Sequence, residues 1–125
     1  MIVRGSTPTH KFVLPFSPLD ISDAIVTYQQ NGVTVINKKL KDIYMDMESN
    51  SVCVQLTQQE TLSFFYGEKY SDNIVNIQIR IIDNNGNVCA SNIIREKVAD
   101  ILWDEIIDTV PKDKDIVYYD GGNVR

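Results

Sequence analysis

Apolar and polar residues alternate along most of the first hundred positions, and the alternation is cleanest between Ile77 and Asn92. There Ile77, Ile79 and Ile81 fall on one face of an extended chain and Gln78 and Arg80 on the other, so one side suits burial and the other suits water. An Asn85-Gly86 pair then turns the chain into a returning strand, which reads as a half-buried antiparallel hairpin. The same period recurs upstream. Lys11–Phe16 puts Phe12, Leu14 and Phe16 on one face, and Pro15 confines this run to an edge strand or its end. Ala24–Gln29 and Val33–Asn37 flank Asn31-Gly32, the pair that best tolerates the two positive φ angles of a type I′ turn. Asp42–Met47 directs Ile43, Met45 and Met47 inward, then turns through Glu48-Ser49-Asn50 into Ser51–Leu56, where Val52, Val54 and Leu56 alternate with Cys53 and Gln55. Successive hairpins of this kind predict a small all-β domain, an antiparallel β-sandwich.

Three stretches depart from the period. Thr57-Gln58-Gln59-Glu60 has the form of a capping box, which predicts a short helical turn over Thr57–Ser63 carrying Leu62 and Phe64 across one end of the core. Residues 1–9 are interrupted by Gly5 and Pro8 and read as an extended N-terminal arm. Beyond Ile94 the spacing of Val98, Ile101, Leu102, Glu105 and Ile106 fits a helix, although short strands fit as well, so a C-terminal helix or arm is expected there. Residues 10–103 form the sandwich domain on this reading, and 104–125 an acidic C-terminal extension.

A chain of 125 residues makes one domain that buries about two-thirds of its unfolded surface without metal or disulfide support. Charge adds more than length does. Residues 96–120 hold eight acids and three bases, while the rest balances nine against nine, so the net charge of -5 lies wholly toward the C-terminus. Direct nucleic-acid binding, which needs a clustered basic surface, is not expected. The acidic tail is either a solvated segment or a docking surface, which could meet Lys38, Lys39 and Lys41 of a neighbour. With no run of about 18 apolar residues and no leader-like N-terminus, the expectation is a soluble, non-secreted protein that does not enter a membrane. Cys53 and Cys89 are then expected as free thiols.

Candidate chemistry is sparse. His10 is the single histidine, and a His10 pair with Cys53 or Cys89 would lack the helix start or glycine elbow that activates a nucleophile. Asp83-Asn84-Asn85-Gly86-Asn87 opens like a calcium loop, but its glycine stands fourth rather than sixth and Ile94 occupies the position of the bidentate glutamate, so it reads as a hairpin turn. No catalytic, cofactor-binding or metal-ligating set is expected, and the chain does not read as an enzyme. Phe64-Phe65-Tyr66 supplies aromatic surface, with Phe64 suited to the core, and Trp103 reads as core or helix. The β-prone run Ile116-Val117-Tyr118-Tyr119, set between charged and glycine residues, is the candidate partner interface, able to add a strand to an open sheet edge.

The order of Thr7-Pro8-Thr9-His10, Phe12-Val13-Leu14-Pro15-Phe16, Val26 to Gly32, Leu56 to Leu62, Ile77 to Arg80 and Ala90-Ser91-Asn92-Ile93 resembles a family of small uncharacterised proteins encoded by phages and prophages of Gram-positive bacteria, over residues 7–103. The layout is also similar to the N-terminal β-sandwich domain of phage upper baseplate proteins. These likenesses imply an immunoglobulin-like module made in the bacterial cytoplasm and built into the virion. There it would dock on other phage structural proteins, at the baseplate, neck, head fibre or as decoration, in a homo-oligomer or other symmetric assembly. They also imply that both termini are arms disordered in the free domain. A carbohydrate-binding module for host attachment is the second expectation, and it would require two or three aromatics on one outer sheet face.

Overall fold

The computed structural model describes residues 1–103 and 105–107. These form β1 (Ile2–Val3), β2 (Thr9–Val13), β3 (Ile21–Gln30), β4 (Val33–Lys39), β5 (Ile43–Asp46), β6 (Ser51–Gln55), α1 (Gln58–Leu62), β7 (Ile74–Asp83), β8 (Val88–Ala90) and β9 (Ile94–Ala99), with 3₁₀ turns at Pro18–Asp20, Leu40–Asp42 and Tyr70–Asn73. One sheet has the order β2-β6-β5, and the other runs β1-β9-β7-β3-β4 with β8 also paired to β7. Neighbours are antiparallel except for β1, which lies parallel to β9 through Ile2 opposite Val98.

The alternation places the core. Val26 and Tyr28 of β3 and Val75, Ile77, Ile79 and Ile81 of β7 face Phe12, Val52 and Val54 of the smaller sheet, all buried. Burial of each such side chain contributes about 1.5–3 kcal/mol, so β3 and β7, at the centre of the larger sheet, supply most of its cohesion. Lettered in chain order from β2 as strand B, the smaller sheet reads B-E-D and the larger A-G-F-C-C′, with β1 as strand A and β8 and β9 together forming a broken strand G. This is the strand arrangement of an immunoglobulin-like sandwich with a C′ strand and no C″ strand among the described residues. Neither the inter-sheet disulfide nor the strand-C tryptophan of antibody domains is present: Cys53 on β6 is buried, Cys89 on β8 is exposed, and both are free.

The turns follow their residues. Asn31 and Gly32 both have positive φ, 54° and 77°, in the β3–β4 hairpin, and Asn50 at 50° closes β5 onto β6. The turn after β7 is organised by Asp83, whose carboxylate accepts the backbone N–H groups of Asn85 (2.9 Å) and Asn87 (2.8 Å). Those bonds, that of Asn87 first, hold the Asp83 carboxyl below the usual carboxylate range. The returning strand, β8, is only three residues long, and pairing with β7 resumes through Ser91, which exchanges backbone and hydroxyl bonds with Ile79.

Four expectations require correction. The N-terminal arm is instead part of the sandwich: Ile2 is fully buried, and Arg4 donates to the carbonyls of Phe64 (2.9 Å) and Leu62 (3.1 Å) and pairs with Asp100 (2.7 Å). Of the helix and the short strands that both fitted the spacing beyond Ile94, the chain forms strand β9 over Ile94–Ala99, because Val98 fills the core beside Ile2 and the cross-strand ladder to β7 outweighs the weak helical spacing. Met47 lies past the end of β5 and is exposed rather than inward. Trp103 is 70% exposed, beyond the last strand, and belongs neither to core nor to helix.

Candidate functional site

β1, strand A in this lettering, pairs with β9 of the larger sheet rather than with β2, and no described strand pairs with the outer edge of β2. That edge presents the unpaired backbone groups of Thr9–Val13. Across the mouth of the sandwich stands the equally open edge of β8. Between them runs a groove of about 450 Å³ floored by Phe12, Ile79 and Ile81 and walled by Leu14, Phe16 and Cys89. Val13 at 71% and Val88 at 61% exposure flank it, so its rim is apolar as well. Pro15 explains why the groove stays open: β2 stops at Val13, and the chain drops to the 3₁₀ turn at Pro18–Asp20 instead of continuing along the sheet.

Toward the start of β2, the core carries a polar network of aromatic rings. His10 Nδ1 lies 2.7 Å from the hydroxyl of fully buried Tyr28, whose ring packs tilted against Phe64 at 6.3 Å between centroids. Burial pushes the Tyr28 hydroxyl far above its ordinary value, with the charge of Glu60 adding to it. Burial also holds the His10 imidazole below its usual range, against the opposing pull of Glu96. With His10 neutral and its proton on Nε2, Nδ1 accepts a hydrogen bond from the Tyr28 hydroxyl, and the pair stitches β2 to β3 across the two sheets.

This geometry separates the groups that a nucleophilic pair would need. His10 faces inward opposite Val54, while Cys53, one residue away, sits on the outer face of β6 between Lys11 and Tyr44, and Cys89 lies on the other sheet. Among the described residues no three His, Cys, Asp or Glu side chains cluster as metal ligands. Phe64 is core as expected, whereas Phe65, Tyr66 and Tyr70 are exposed in the β6–β7 connection rather than arrayed on a sheet face. Of the three lysines expected as a basic patch, Lys38 is buried and ion-paired with Glu60 at 2.6 Å, while Lys39 and Lys41 are exposed. The partner interface assigned to Ile116, Val117, Tyr118 and Tyr119 lies outside the described residues. The groove itself escaped sequence reading: Phe12, Leu14 and Phe16 signal burial, but nothing local shows that β1 joins the larger sheet and leaves the edge of β2 open.

No protein-family model matches the chain. No curated protein matches it either. Among solved structures, the V domain of amphioxus IgVJ-C2 is similar at 11% identity over 80% of this chain and 97% of that chain, with a TM-score of 0.31. No helix among the described residues is long and apolar enough to cross a membrane.

Proposed function

We propose that the chain is a structural or adaptor component of a phage particle, acting by protein–protein docking rather than by catalysis, and that the groove beside β2 is its docking site. The phage assignment rests on the resemblance of residues 7–103 to small phage and prophage proteins. The docking mode rests on one observation, the unpaired edge of β2 bordering an apolar groove. An extended segment of a neighbouring virion protein would add a strand to that edge, its backbone satisfying β2 while alternate side chains enter between Phe12, Leu14 and Ile79. Lys11, at the centre of the edge, discourages unspecific pairing.

Cys89 offers a direct probe, being exposed on the groove wall while Cys53 is buried. A thiol-reactive photo-crosslinker placed on Cys89 before particle assembly is expected to join the chain to one other virion protein, through a peptide that is extended and apolar. Normal incorporation without any crosslink from Cys89 would remove the groove from the account.

A further inference from the structure

The outer face of the larger sheet carries a second surface, unrelated to the groove. Arg95 and Lys97 project from alternate positions of β9, Arg80 from β7 and Lys39 from β4, all exposed. The ion pairs of the described residues join Met1 to Glu96, Arg4 to Asp100, Lys11 to Asp46 and Lys38 to Glu60, so none of these four cations is neutralised by a described acid. Arg95 and Lys97 border a cleft of about 670 Å³ closed by the Asn31-Gly32 turn and by Tyr70, over whose ring the Lys97 ammonium sits at 5.2 Å from the centroid. Asn76 lines the cleft from β7, and its side-chain oxygen is buried without a hydrogen-bond partner. Such a site suits a ligand that brings carboxylates to the two cations and an N–H donor to Asn76, which is the chemistry of an acidic peptide segment.

The chain itself contains one. Residues 104–125 hold six carboxylates against three bases. The described chain ends at Ile107, whose backbone is gripped on both sides by the Gln58 amide of α1 at 2.9 and 2.8 Å. α1 follows β6 and is tied to β4 of the larger sheet through Lys38 and Glu60, while the cleft opens on the outer face of that larger sheet. Asp113 lies six positions past Ile107, about 20 Å at full extension, so the Gln58 grip at α1 limits the reach of the chain's own first acids, whereas a second copy brings the segment without that tether. We infer that the cleft at Arg95, Lys97 and Asn76 receives the acidic segment 113–120 of a second copy. Cleft and segment are different surfaces, so the contact is head-to-tail and propagates into rings or short chains of copies.

Two full-length variants test this by sedimentation velocity. One reverses the cleft (Arg95→Glu with Lys97→Glu), and the other neutralises the segment (Asp113→Asn, Asp115→Asn and Asp120→Asn), each checked for wild-type circular dichroism. The wild-type chain is expected to associate with rising concentration at low salt and to dissociate at high salt. Each variant alone is expected to be monomeric. An equimolar mixture is expected to give a one-to-one complex and nothing larger, because the intact segment of one variant fills the intact cleft of the other. A monomeric wild type, association of either variant alone, or a mixture that fails to pair would overturn the inference. A concentration-independent compaction lost in both variants would overturn it in favour of the chain's own segment.

Discussion

At the scale of single residues, the most consequential side chain is His10, because it is half-buried, titratable and bonded to a tyrosine that has no access to water. Its imidazole is held below the ordinary histidine range chiefly by burial, and the nearby N-terminal ammonium adds to the effect while Glu96 opposes it. The unfolded chain therefore takes up a proton near pH 6.5, before the folded chain does, so folding is disfavoured as pH falls from about 6.5 toward the lower folded value. Above that range the contribution of neutral His10 is complete. Asp46, Asp83 and Asp100, whose carboxyls are held low by hydrogen bonds to Ser49, Asn87 and Arg4, lose their contributions only in more acid solution. Urea denaturation at pH 7.5 and 5.5 is expected to show lower stability at the acid pH, and His10→Gln is expected to flatten the difference. An equal loss in the variant would place the sensitivity elsewhere.

Among the elements, α1 shows how a local signal is made stable. The Thr57 hydroxyl accepts the Glu60 N–H at 3.1 Å and the Glu60 carboxylate accepts the Thr57 N–H at 2.9 Å, the reciprocal caps expected of the sequence. Glu60 also pairs with Lys38 of β4, so a five-residue helix too short to persist alone is tied to the larger sheet. Thr57→Ala is expected to cost about 1 kcal/mol in chemical denaturation, the usual worth of such a cap. A cost near zero would mean that the Lys38–Glu60 pair and the burial of Phe64 hold this corner unaided.

Legibility also divides by element. The β3–β4 and β5–β6 hairpins, the capping box and the buried face of β7 were written in local alternation and turn residues, and the structure agrees with them. Ile2 and Val98 were not readable in this way: each lies in a segment whose spacing is ambiguous, and their pairing joins residues 96 positions apart, a decision made by tertiary burial alone. The same reason hid the docking groove, since an empty place beside β2 is a property of topology. The cation cleft was hidden because Arg95 and Lys97 come together with Tyr70 and Asn76 only when β9 pairs with β7.

For the molecule as a whole, the two exposed surfaces imply a part rather than a finished object. An immunoglobulin-like sandwich that leaves the edge of strand B open and presents, on its opposite sheet, cations with no acid partner among the described residues has surfaces suited to two kinds of neighbour, one apolar and extended, one acidic. Such a distribution suits a repeated component of a particle. The measurement that bears most directly on this account is quantitative mass spectrometry of purified particles from the host that encodes the chain, with copy number referred to the major capsid protein. The account predicts a fixed, stoichiometric number of copies per particle. Absence of the chain from clean particles would contradict it.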